Sequence, residues 1–272
     1  MTSEIFNFNR FWNYFLFDLK QMWRNHTGPA VFIGGLGVIV YVIWVLLSLL
    51  FTQSWTGPSL VARAVIFIVA LLILVLYQSR TYGYLTDKQK GSAWLMIPAS
   101  SLEKFISMLL ITLLVIPLLF VVVFLVADSI ICLADPTVGA SLVGTAMHGM
   151  SALSSEMPEL SGSMFINLST GTIIAFTIVG LASNFLYFLL CGICFKRYKI
   201  LGGIGLVFAF EVLLSILASI FFPIWSENLV YLDEVSAGQM VTRTVNWSLT
   251  VSILVTLGLA AGIFYRIKTL KH

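Results

Sequence analysis

Phe105–Val126 reads FISMLLITLLVIPLLFVVVFLV, twenty-two residues without a charged side chain. At about 1.5 Å of rise per residue, a helix of this length crosses the roughly 30 Å hydrocarbon core of a bilayer. Lipid offers the backbone no hydrogen bonds, so such a run must satisfy itself as a helix, and the alternation of a barrel strand is absent. Five further apolar runs share its character: Val31–Phe51, Leu60–Gln78, Thr170–Phe195, Ile200–Ile224 and Trp247–Tyr265. Composition agrees, since 59% of residues are hydrophobic and only 10% charged, where a soluble domain has about a quarter charged. The sequence therefore predicts an all-α integral membrane protein with six transmembrane helices. Pro117 inside the quoted run predicts a kink, whereas Pro29 and Pro58 open the first two spans, where a missing N–H costs nothing.

Ahead of the spans, Phe8, Phe11, Trp12, Phe15, Leu19, Met22 and Trp23 recur at three- and four-residue steps, with Asn9, Arg10, Asn13, Lys20, Gln21 and Arg24 between them. That pattern predicts an amphipathic helix lying in the membrane interface. His26-Thr27-Gly28-Pro29 is expected to end it, dividing the chain into an interfacial segment 1–28 and a six-span region 29–272. No apolar core with a small-residue cleavage site precedes it, so the first span is expected to serve as its own insertion signal.

Orientation follows from the cations. Thirteen of the fifteen basic residues, from Arg10 through Arg80, Lys88, Lys90, Lys104, Lys196, Arg197 and Lys199 to Lys271, fall on one side of the proposed spans. Only Arg63 and Arg243 lie near the other side, where the acids Asp128, Asp135, Glu156, Glu159, Glu227, Asp233 and Glu234 collect. The positive-inside rule then predicts N-in/C-in topology, with the 79–104 loop and both termini in the cytoplasm. The net charge of +3 thus encodes orientation and gives no nucleic-acid signal.

Catalytic patterns are missing. Gly34-Gly35-Leu36-Gly37 and Gly202-Gly203-Ile204-Gly205 lie inside apolar runs and read as packing glycines, not as a phosphate-binding loop. His26, His148 and His272 all lie outside the spans, so neither a zinc site nor a Ser/His pair is legible there. An enzyme is not expected, and no cofactor or metal is assigned to this chain. Cys132, Cys191 and Cys194 cannot make a disulfide framework, and Cys191-x-x-Cys194 lacks two further ligands. Met147, His148, Met150, Met157 and Met164 read as an interfacial segment rather than a soft-metal site. Gly258-Leu259-Ala260-Ala261-Gly262 has the small-xxx-small spacing of close helix contacts.

Glu211 is the one charge deep within a span, and an intramembrane carboxylate points to function or to a pairing partner. Asn184 lies as far before the Lys196–Lys199 turn as Glu211 lies after it, so an antiparallel hairpin is expected to set the two at one depth, within hydrogen-bonding reach. The cargo or proton site and the structural fastening both remain open, the fastening weighted higher.

The loop Thr86–Lys104 carries the most information. Thr86 with Gln89, and Ser100 with Glu103, both have capping-box spacing, and Pro98 lies between them. A short helix is expected to start at Thr86 and present Trp94 and Leu95 to the cytoplasm, with a second beginning near Ser100 and running into the next span. Such an element can dock in the cleft of a soluble partner and pass its motion to the membrane helices.

Gly91, Trp94, Leu95, Ile97, Pro98, Ala99, Ser100 and Glu103 resemble the loop between spans two and three of the permease subunits of ABC-2 type transporters. The family pattern is a Gly, a few apolar residues, a Leu-Pro-Val-Ser-like step and then Glu. The likeness covers the layout of the whole chain but is specific in residues only over about Thr86–Phe105, and Ala99 and Met108 depart from the family pattern. It implies a dimer of this chain or a homologue, a cytoplasmic ABC ATPase subunit that holds ATP and Mg, and export. It also implies a coupling helix at Thr86–Ile97, including Asp87 and Lys90, and an outer gate at Trp225–Thr242. A non-transporting scaffold or sensor using the same loop, and a proton-coupled secondary transporter using Glu211, remain the alternatives.

Overall fold

The computed structural model describes residues 6–145, 147, 148, 170–229 and 234–269, and these residues are helical without a strand. Among the described residues nine helices carry the architecture: α1 Phe8–Gly34, α2 Leu36–Thr52, α3 Leu60–Thr81, α4 Lys88–Leu95, α5 Ser101–Leu110, α6 Ile116–Ala134, α7 Thr170–Cys194, α8 Lys199–Leu229 and α9 Glu234–Thr269. Among the described residues four stretches are long and apolar enough to span a bilayer: Leu60–Thr86, Ser101–Ala134, Ile174–Cys194 and Arg243–Thr269. They coincide with four of the six expected spans, and the chain is a multi-pass membrane protein. The first expected span falls largely on α2, which at 17 residues is shorter than these four; the fifth falls within α8.

The expected break at His26–Pro29 does not occur. α1 runs through Pro29 and ends at Gly34, so this helix closes at the Gly34–Gly35 joint and not before Pro29. Proline removes one donor from a helix, which a long helix can survive. The joint itself is set by packing, because a Cβ on Gly34 would meet Val123 Cβ at 3.0 Å and one on Gly37 would meet Phe124 at 3.3 Å. The first glycine cluster therefore seats the start of the span against α6. Pro117 is preceded by a π-helical turn, Ile111–Val115, which joins α5 to α6 and takes up the missing donor within a continuous helix.

Two buried clusters hold the set together. One joins Leu74 of α3 to Ile116, Phe120 and Phe124 of the α5–α6 helix and to Phe185 of α7. The other joins Leu85, Trp94 and Met108 to Leu189 and Ile193, nearer the C-terminal end of α7, and to Ile263 of α9. Close approach of α3 and α7 requires Gly192, since a Cβ there would fall against the Ser79 carbonyl. The outward faces stay apolar, with Leu50 at 75% and Phe51 at 82% exposure. In water such a surface is a liability; in lipid it is the solvated face.

Candidate functional site

Along α1, Asn7, Arg10, Tyr14 and Asp18 follow at three- and four-residue steps and so share one side of the helix. That side faces the 83–104 segment at three levels. At the first, Glu103 is fully buried and its carboxylate accepts from Arg10 Nε at 2.8 and 3.0 Å, from Arg10 Nη2 at 2.8 Å and from the Asn7 backbone N–H at 2.9 Å. The same carboxylate accepts from Ser100 N–H at 2.8 Å while Ser100 Oγ accepts from Glu103 N–H, which completes the expected capping box and starts α5. One side chain thus caps a helix and clamps α1 onto it.

At the second level, Trp94 Nε1 donates to Tyr14 Oη at 3.0 Å. Lys104 Nζ stands 4.5 Å from the Trp94 ring centroid and donates to the Trp94 carbonyl at 3.0 Å. At the third, Asp18 Oδ2 accepts from Ser107 Oγ at 2.7 Å and from the Tyr82 hydroxyl at 2.9 Å. Burial pushes the Asp18 carboxyl above its ordinary range, against the pull of those two hydroxyl donors. A carboxyl with a raised folded pKa stabilises below its unfolded pKa and loses that contribution as pH rises through the folded value. Asp18→Asn is therefore expected to tighten the docking of α1 at neutral pH and to match the unmodified chain in acid. Hydrogen exchange of the 8–24 amides at the two pH values measures this; equal protection of both proteins at neutral pH would contradict it.

Two expectations about the loop are corrected here. Thr86 does not cap a helix: it closes a 3₁₀ turn, Gly83–Thr86, and its hydroxyl donates to the Gly83 carbonyl. α4 begins one residue later than Asp87, whose backbone is extended and whose side chain makes no capping bond. Trp94 is not offered to the cytoplasm; it is 4% exposed, its indole held by Tyr14 and Lys104. Leu95 and Ile97 are half-buried, while Asp87, Gln89, Met96 and Pro98 are exposed, Met96 at 83%. Gly91 is buried on α4, and Lys90 lies on the same helix.

The amphipathic helix also divides differently from its sequence pattern. Phe11, Tyr14, Asp18 and Met22 are buried against the helices, whereas Phe8, Trp12, Leu16 and Trp23 are exposed on the outward face. Asn184 and Glu211 do not bond to each other. Asn184 Nδ2 donates to its own Gly180 carbonyl, and both side chains are exposed on the outside of the helices. The segments 225–242 and 129–167 fall partly outside the described residues, and Met150, Met157 and Met164 lie wholly outside them.

A second polar cluster closes the opposite end. Buried Arg63 of α3 donates to Asp128 Oδ1 of α6 at 2.7 Å and, through Nη2, to the carbonyls of Val138 and Ala140 at 3.2 and 2.7 Å. The other Asp128 oxygen accepts from Leu142 N–H at 2.8 Å. Asp135 collects the Thr137 hydroxyl, the Trp55 indole N–H and the Tyr41 hydroxyl, and these donors, Thr137 foremost, hold its carboxyl down at about 2. Among the described residues no group of acids, histidines and cysteines has the makings of a metal site. Both clusters fasten elements that are distant in sequence.

Comparisons with protein-family models, with curated proteins and with solved structures give no match.

Proposed function

We propose that this chain is the membrane-spanning permease subunit of an ABC transporter of the ABC-2 type. It exports a substrate across the bacterial inner membrane with ATP and Mg handled by a separate cytoplasmic ATPase. The full arrangement is six spans, both termini in the cytoplasm, and a dimer of this chain or a homologue. The observation that carries the reading is the clamp. Glu103, Trp94 and Ser107 tie the 83–104 segment to one side of α1, while α5 leads without a break into α6. A push on α4 then moves the interfacial helix and a membrane helix together, which is what a coupling element between an ATPase and a pore has to do. With Glu211 on the outside of the chain, a proton route through a single subunit draws less support from it.

Because Trp94 is internal, the partner's contact shifts to the exposed residues Met96, Asp87, Gln89 and Pro98. Purifying the tagged full-length chain from its native membrane is expected to retain an ABC ATPase. Met96→Asp places a charge in the contact and is expected to cut that recovery about tenfold, the equivalent of roughly 1.4 kcal/mol. Recovery of no ATPase, or equal recovery with Met96→Asp, would count against the coupling role.

A further inference from the structure

A cleft opens between α2, α3 and α6, beside the pair formed by Arg63 and Asp128. Its walls are mostly apolar, with Ile66, Phe124 and Ile131 set around three polar side chains, Tyr41, Arg63 and Asp128. It holds about 290 Å³ of space with its open mouth included, but inside it is narrow, on the scale of a single water.

Arg63 lines the cleft with its hydrogen bonding incomplete. Its two terminal nitrogens donate to the Asp128 carboxylate, the Cys132 sulfur and the Val138 and Ala140 carbonyls, whereas the buried Nε meets no acceptor among the described residues. A guanidinium N–H left bare in a low-dielectric setting costs the full desolvation of that donor. Asp128 already balances the charge, so the donor calls for an acceptor with no charge of its own. Further partners line the same space. Asp128 takes one bond on each oxygen, from Arg63 and from the Leu142 N–H, which leaves each a lone pair; Tyr41 Oη donates to Asp135 and can still accept.

We propose that this cleft binds one uncharged oxygen acceptor at Arg63 Nε, supplied by an ordered water or by the ester carbonyl of a membrane lipid. A water also donates, to Asp128 or Tyr41, and so ties α2 to the buried pair. A lipid ester brings its carbonyl alone and lays its chain along Ile66 and Phe124. The narrow interior and the two further acceptors favour the water. A phosphate or carboxylate would add a charge that one N–H cannot offset beside the Asp128 carboxylate.

A crystal structure of the full-length chain grown from lipid, fine enough to show waters, tests this. A compact peak about 2.7–3.2 Å from Arg63 Nε, with a second bond to Asp128 or Tyr41, is expected; an elongated density with its carbonyl on Nε gives the lipid as the source instead. Nε turned onto a protein carbonyl, an anion in the cleft, or no density there overturns the proposal. In detergent solution, Ile66→Phe fills the cleft and is expected to lower the unfolding temperature by about 4 °C, because the acceptor leaves while the donor stays. In a chain carrying Arg63→Met and Asp128→Leu, where that donor is gone, the same substitution is expected to lower it by less than half as much. Equal losses in both chains would come from crowding alone and overturn the proposal.

Discussion

Glu103→Ala is expected to free the N-terminal half of α1 from the loop and to lower the stability of the fold by about 2–4 kcal/mol. Alanine removes the acceptor of five hydrogen bonds at once, three from Arg10 and one each from the Asn7 and Ser100 backbones. The loss of the cap alone costs about 1 kcal/mol. Arg10 is 41% exposed and regains water, so its share is smaller than for a pair buried on both sides. Glu103→Gln keeps one acceptor oxygen and is expected to fall between alanine and the unmodified chain. Thermal unfolding in detergent, with hydrogen exchange over residues 8–24, checks this. Full protection of α1 in Glu103→Ala would show that the clamp holds nothing.

Arg63 and Asp128 should behave in the opposite way when they are removed together. Both are buried, at 5% and 4% side-chain exposure, so either single alanine leaves a charge in a low-dielectric setting with its partner gone, a cost of about 3–5 kcal/mol. In Arg63→Ala the carbonyls of Val138 and Ala140 also lose their donor. Replacing the pair with Arg63→Met and Asp128→Leu removes both charges and restores volume, and the double variant is expected to be more stable than either single one. A double-mutant cycle on unfolding temperatures measures the coupling. Additive losses would mean that the two side chains do not depend on each other.

What was legible in the sequence is what short-range physics determines. Apolar length announces the spans, and the Ser100–Glu103 box is a local exchange of bonds within one turn, so it can be read from spacing. The clamp needed knowledge of which helix lies opposite. Glu103 caps its own helix, but its other partner, Arg10, is 93 residues away, and nothing nearby in sequence distinguishes it from a solvated acid. Trp94 shows the same limit: its amphipathic setting says that one face is covered, not that Tyr14 covers it. Asp18 carried a signal that was missed. It lies one turn from Tyr14 and Met22 on the side that is buried, so a helix drawn with Phe11, Tyr14, Asp18 and Met22 as one stripe would have marked it as an internal acid. Arg63 was set aside as an outer-side exception to the charge rule. A lone arginine one turn inside an apolar run has a cost that calls for a partner, and Asp128 near the end of the third span was the candidate. The Pro29 break was misread because proline was weighed as a stop, whereas the Gly34–Gly35 contact with α6 sets the actual joint.

The clamped 83–104 segment is expected to lie on the cytoplasmic side. The most direct measurement uses a chain with Cys132, Cys191 and Cys194 replaced by alanine and a single new cysteine, Met96→Cys or Thr56→Cys, both at exposed positions. An impermeant maleimide is expected to label Thr56→Cys in intact cells and Met96→Cys only after the membrane is opened. Labelling of Met96→Cys in intact cells would place α4 outside and contradict the account.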